Sequence, residues 1–115
     1  MIDIHKFIRS LGFAFDGFVS LIKSENNARI HFVATVCVIV TGIFFNISDF
    51  EWYWIGFAIA LVWICEAFNT ALETMVDLVS PEKNPLAKKI KDVSAAAVLF
   101  ASIFALFVAI RVFVF

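Results

Sequence analysis

Three long runs of apolar residues alternate with short polar segments along the chain. The runs cover approximately residues 28–46, 50–79 and 86–114. About 20 apolar residues in a helix are enough to cross the hydrocarbon core of a bilayer, which is ~30 Å thick. The pattern therefore predicts an all-α integral membrane protein with three transmembrane helices in a single domain, residues 1–115.

A different pattern precedes the first run, in residues 3–24. Here the apolar side chains recur at intervals of three and four, which places them on one helical face, and the charged side chains lie largely on the other. Asp3 is a suitable N-cap residue. Because this segment is too polar to span, it predicts an amphipathic helix at the membrane surface. The alternative is a helix that simply packs on the rest of the protein.

Proline and alanine positions predict where the later helices end and how they pack. Pro81 should end the second spanning helix, and Asn84 and Pro85 should cap and begin the third. Small residues let helices approach closely in lipid. The third helix carries such a row at every fourth position, which predicts a packing seam formed by Ala97, Ala101, Ala105 and Ala109.

Polar residues interrupt the second run on one side of its predicted helix. At ~100° per residue they fall within roughly 80° of one another. We call them the polar stripe, which consists of Glu66, Asn69, Glu73 and Asp77. An ionisable group inside a span costs free energy, so its default interpretation is functional. The stripe is therefore the candidate site.

Composition supports the membrane assignment and excludes other classes. The chain is 63% hydrophobic with a mean hydropathy of +0.97, whereas soluble domains are about 45–50% apolar. No basic patch with interleaved aromatic residues is present, so nucleic-acid binding is not expected. Cys37 and Cys65 lie in apolar runs without a metal-site or disulfide spacing and are interpreted as small hydrophobic residues.

The cations are distributed unevenly, which predicts an orientation. None lies between the first and second runs; the cations that flank the other polar segments are Lys6, Arg9, Lys23, Arg29, Lys83, Lys88, Lys89 and Lys91. By the positive-inside rule, the N-terminus and the 80–92 segment are predicted to be cytoplasmic. The C-terminal end of the polar stripe would then meet Glu25 and these lysines at the cytoplasmic interface.

Carboxylates, an amide and lysines at a membrane interface suggest a particular chemistry. Carboxylates suit Mg²⁺ that is shared with substrate phosphates, and lysines suit the phosphates themselves. A carboxylate near lipid could accept a proton from an alcohol. These features favour phosphoryl transfer to a lipid hydroxyl. An ion- or proton-coupled transporter subunit and a structural oligomeric membrane protein remain as alternatives on this reasoning.

Longer motifs favour phosphoryl transfer over the two alternatives. They closely resemble the prokaryotic diacylglycerol kinase family, which includes undecaprenol kinases; the matching segments are Glu25-x-Asn27-x-Arg29-Ile30-His31, Glu66-x-x-Asn69-Thr70-Ala71-x-Glu73-x-x-x-Asp77, Asn84-Pro85-Leu86-Ala87-Lys88 and Lys91-Asp92. The resemblance implies a homotrimer in the bacterial inner membrane that uses ATP and Mg²⁺ to phosphorylate a lipid alcohol, either diacylglycerol or undecaprenol.

The resemblance also implies residue roles. Glu66 would be the catalytic base that faces the lipid hydroxyl, with Asn69 beside it holding it in place. Glu25 and Glu73 would bind the metal ion. The residues expected to contact ATP are Lys6, Arg9, Glu25, Glu73, Asp77, Glu82, Asn84, Lys91 and Asp92, and Arg9 would also contact the lipid.

Three further positions complete the expectations. Asn84 stands where relatives often carry His, and Asp16 stands where a basic residue is common, so contacts at both positions are expected to differ. His31, near the start of the first run, is interpreted as an interfacial histidine rather than a ligand.

Overall fold

The computed structural model describes all 115 residues and contains four α-helices. They are α1 (Ile4–Ser24), α2 (Asn26–Phe44), α3 (Asp49–Val79) and α4 (Pro85–Phe113). Helices α2, α3 and α4 are long and apolar enough to cross a membrane. The predicted all-α architecture with three such helices is therefore confirmed, and the observed ends lie within two residues of the predicted ones.

Side-chain caps explain where the helices begin. Asp3 accepts a hydrogen bond from the Lys6 amide at 3.1 Å. Asn84 accepts one from the Leu86 amide at 2.8 Å, and Pro85 is the first residue of α4. Both predicted caps are confirmed. A third cap escaped the sequence analysis, because Ser48 and Glu51 form a reciprocal capping box that starts α3 at Asp49.

The junction between α1 and α2 is a single residue, Glu25, in an extended conformation. Ser24 is the last residue of α1, and Asn26 already belongs to α2. Arg29 reaches back across this corner and donates to the carbonyls of Ile22, at 2.9 Å from Nε, and of Lys23, from Nη2. These bonds satisfy carbonyls that the end of α1 leaves unpaired. Arg29 thus fixes the corner that holds Glu25.

Helices α3 and α4 form the most extensive pair, and α2 packs on α3 over a smaller surface. A small core of Ile55, Ala58 and Val108 joins α3 to α4 near the end remote from Glu66. Ala101 is buried, whereas Ala97 is exposed, so only part of the alanine row packs within one chain. At 31 residues, α3 is about 46 Å long. It exceeds the ~30 Å hydrocarbon core, so one end must extend beyond the lipid.

Most of the chain's apolar surface is not covered by the chain itself. Only 13 of 115 residues are buried, and large exposed apolar side chains occur along all four helices. Exposed apolar patches of this extent belong to contacts with lipid or with other protein chains. The few buried polar residues, Glu66, Asn69 and Ser94, lie together on α3 and α4.

Candidate functional site

The polar stripe of α3 runs from the protein interior to the surface. Glu66 is 1% exposed and Asn69 is 6% exposed. Glu73 is half-buried, and Asp77 is exposed. This gradient follows from the length of α3, whose last turns extend past the start of α2. Exposure of the stripe thus increases toward the C-terminal end of α3.

Two consecutive hydrogen bonds link α4 to the middle of the polar stripe. The Ser94 hydroxyl donates to Asn69 Oδ1 at 2.6 Å. Asn69 Nδ2 in turn donates to Glu73 Oε1 at 3.1 Å. The amide was expected to hold Glu66 in place, but its hydrogen bonds hold Glu73 instead. Ser94 was not predicted as a site residue, although it lies three residues after Lys91 and so shares a helical face with it.

Glu66 faces His31 across a short gap. His31 Nε2 lies 3.6 Å from Glu66 Oε2, which is too far for a hydrogen bond. Both atoms are buried and have no hydrogen-bond partner, and the same holds for Thr70 Oγ1. Unpaired buried polar atoms are costly and uncommon. The His31 ring therefore lies beside the buried carboxyl group, a contact that its position near the start of α2 alone did not predict.

The candidate metal ligands lie toward the same end of the bundle. Glu73 lies two helical turns after Glu66 on α3, and Glu25 lies six residues before His31, the neighbour of Glu66. Glu25 reaches this position because the α1–α2 corner places it at the head of α2. No group of three or more His, Cys, Asp and Glu side chains is placed to hold a metal ion. One chain therefore supplies two candidate ligands and not a complete cage.

Most of the candidate ATP ligands surround one open cleft between the ends of α3 and α4. The cleft has a volume of about 680 Å³, and its polar lining includes Asp77, Glu82, Lys83, Asn84, Lys88, Lys91 and Asp92. Lys91 Nζ lies 2.6 Å from Asp77 Oδ1, and Lys88 Nζ lies 2.6 Å from Asp92 Oδ2. Lys6 and Arg9 are outside this lining, on the exposed first half of α1.

The arrangement can be compared with known proteins. The family model of prokaryotic diacylglycerol kinase matches residues 12–113. This chain belongs to the prokaryotic diacylglycerol kinase family. Because the family model covers α2, α3 and α4, the three helices able to span a membrane are those of the family domain, and the chain is a multi-pass membrane protein.

Individual members of the family are similar over most of the chain. An undecaprenol kinase from Bacillus subtilis is 30% identical over 111 residues, which are 96% of this chain and 90% of that protein. A diacylglycerol kinase from Escherichia coli is 28% identical over 100 residues, 87% of this chain and 82% of that protein. A diacylglycerol kinase from Synechocystis sp. is 36% identical over 86% of this chain but only 57% of its own length.

Proposed function

We propose that the chain is an ATP-dependent kinase that transfers the γ-phosphate of ATP to the hydroxyl group of a membrane lipid alcohol. The observation that carries this proposal is the buried Glu66, whose free Oε2 lies within a span and has no hydrogen-bond partner. A buried carboxylate without a partner is suited to accept a proton. The relatives, which are named as kinases of lipid alcohols, support the same activity.

In the reaction, Glu66 accepts the proton of the lipid hydroxyl. The hydroxyl oxygen forms a bond to the γ-phosphorus, and the bond from that phosphorus to the oxygen bridging the β-phosphate breaks. The products are the lipid phosphate and ADP. Because phosphoryl transfer passes through a loose transition state, positioning and charge stabilisation supply most of the catalysis. Burial of Glu66 also keeps water, a competing acceptor, away from the base.

Glu25 and Glu73 are the residues that would hold Mg²⁺. They fit this role because Mg²⁺ in kinase sites takes one or two carboxylates together with substrate phosphates. Two carboxylate ligands from the chain would therefore be sufficient. When bound, the ion would neutralise charge on the β- and γ-phosphates. Asn69, fixed by Ser94, orients Glu73 for this purpose.

The cleft at the ends of α3 and α4 would receive ATP. Lys91 and Asp92 would contact the nucleotide, together with Asp77, Glu82 and Asn84, all of which line the cleft. The ion pairs in this region are exposed, and such pairs contribute little to stability. Lys91 can therefore leave Asp77 for a phosphate at low cost. Lys6 and Arg9 would approach from α1, with Arg9 also at the lipid headgroup.

The proposal includes a position in the membrane and an assembly. We place α1 as an amphipathic helix on the cytoplasmic surface of the bacterial inner membrane, with the N-terminus cytoplasmic, because Lys and Arg are absent from the segment between α2 and α3. We also propose a homotrimer with sites shared between chains. The large uncovered apolar surface supports this assembly.

The acceptor is diacylglycerol or undecaprenol. The Bacillus subtilis relative is named for the second and the Escherichia coli relative for the first. The transporter alternative finds no support in these relatives, which are named as kinases.

A direct assay tests the proposed activity. The purified protein is reconstituted in vesicles that contain undecaprenol or diacylglycerol, and ATP labelled at the γ-phosphate is added with Mg²⁺. We expect label in extracted lipid phosphate from at least one alcohol. Triacylglycerol, which has no free hydroxyl, is the matched control and should give none. Failure to label either alcohol would refute the lipid kinase.

A further inference from the structure

The gap between Glu66 and His31 is the least explained feature of the buried site. Glu66 Oε2 and His31 Nε2 are 3.6 Å apart, both are buried, and neither has a hydrogen-bond partner. An oxygen that lies about 2.8 Å from each atom, beside the line joining them, would satisfy both. The pair thus forms a two-sided site for a single hydroxyl group.

We propose that His31 is a positioning residue for the acceptor: its Nε2–H donates a hydrogen bond to the oxygen of the lipid alcohol, while Glu66 Oε2 faces the hydroxyl proton. This inference rests on the proposed lipid kinase activity. During transfer the hydroxyl proton moves to Glu66, the oxygen bonds to the γ-phosphorus, and ADP leaves with the electrons of the broken bond. His31 keeps its own proton throughout.

Hydrogen bonds beside His31 connect α2 to α3. Trp63 Nε1 donates to Thr35 Oγ1 at 3.0 Å, and Thr35 donates to the His31 carbonyl at 2.7 Å. The His31 ring lies edge-on to Trp63, with 6.4 Å between ring centroids. Trp63 lies on α3 three residues before Glu66, so α3 positions both sides of the site.

A cavity shows where the rest of the acceptor would go. It has a volume of about 270 Å³ and extends from His31 between α2, α3 and α4. Most of its lining is apolar, and its members on α2 and α3 lie progressively farther into the spans: Ala34, Val38, Val62 and Ile59. A hydroxyl at the His31 end therefore leaves the attached hydrocarbon chain in apolar surroundings. The cavity, which begins at His31, fits the hydrocarbon part of a long-chain alcohol.

The test compares three variants in the same vesicles. His31→Leu keeps the volume and removes the donor, whereas His31→Gln keeps an N–H donor near the position of Nε2. His5→Ala removes the other histidine of the chain, which is exposed on α1, and serves as the control. Losing a buried hydrogen bond typically changes an equilibrium by about 10- to 100-fold.

We expect His31→Leu to raise the KM for dioleoylglycerol or undecaprenol roughly 10- to 100-fold while the KM for ATP changes less than about twofold. His31→Gln should recover most of the loss, and His5→Ala should match the unaltered protein. An unchanged lipid KM in His31→Leu, equal changes in both KM values, or no recovery in His31→Gln would overturn the assignment.

A binding measurement separates this inference from the proposed activity. Dioleoylglycerol with brominated chains quenches tryptophan fluorescence on contact, and Trp63 lies beside His31. Without ATP, quenching should require roughly tenfold more alcohol in His31→Leu than in His5→Ala. If quenching is weaker in His31→Leu than in His5→Ala but no lipid phosphate is made, the proposed kinase activity is refuted and the hydroxyl site is supported. Equal quenching in both variants would overturn the hydroxyl site even if lipid phosphate is made.

Discussion

Ser94→Ala is the variant that most sharply separates the role of Asn69 seen in the structure from the role expected from the sequence. Ser94 is 7% exposed, and its hydroxyl is the only group that donates to Asn69 Oδ1. The substitution leaves that oxygen buried without a partner. Such a loss costs about 1–3 kcal/mol in soluble proteins and about 0.6 kcal/mol on average between transmembrane helices. We therefore expect a loss of about 1 kcal/mol in the free energy of unfolding.

The same substitution should affect metal use, because Asn69 without Ser94 is less firmly held against Glu73. A loss of about 1 kcal/mol corresponds to roughly fivefold in an equilibrium constant, so the Mg²⁺ concentration for half-maximal lipid phosphorylation should rise by up to about fivefold. The assays are unfolding in a denaturing detergent and a Mg²⁺ titration of the kinase reaction.

Ser10→Ala is the matched control for this experiment. Its hydroxyl donates to the Lys6 carbonyl at 3.0 Å within exposed α1, so both measurements should stay near those of the unaltered protein. If Ser94→Ala behaves like Ser10→Ala in both assays, the hydrogen-bonded chain from Ser94 through Asn69 to Glu73 contributes nothing, and the reasoning is refuted.

Three other substitutions test separate parts of the account. Gly42→Ala would place a methyl carbon 2.6 Å from the Trp52 ring and should lower the free energy of unfolding by about 1–3 kcal/mol. The control is Gly56→Ala, whose methyl group would meet nothing within 4 Å. Equal stabilities of the two variants would contradict the close contact. Glu73→Gln should raise the Mg²⁺ requirement of the kinase reaction, and an unchanged titration would remove Glu73 from the metal site. Ala101→Leu should disturb the proposed trimer, and a normal sedimentation profile in detergent would refute that role.

The fold was largely predictable because its signals are local. Runs of apolar residues define α2, α3 and α4, while Asp3, Asn84 and Pro85 define helix ends through short-range chemistry. The capping box of Ser48 and Glu51 is equally local and could have been recognised from the spacing of Ser and Glu before the aromatic residues.

The site was only partly predictable, because it depends on contacts between helices. The angular spacing of the polar stripe indicated one face of α3 but not what the face would meet. His31 and Ser94 lie 35 and 28 residues from Glu66 in sequence, and only the packing of α2 and α4 on α3 brings them to the stripe. For the same reason, the family resemblance suggested Glu66 as the partner of Asn69, whereas the hydrogen bonds lead to Glu73 and Ser94.

The measurement that tests the central claim most directly is lipid phosphorylation by Glu66→Gln. Glutamine nearly preserves the volume of the buried side chain but cannot accept the hydroxyl proton as a carboxylate does. With γ-labelled ATP, Mg²⁺ and the accepted lipid alcohol, we expect the variant to fold and to bind ATP normally while its turnover falls at least about 100-fold. Turnover close to that of the unaltered protein would contradict the assignment of Glu66 as the base.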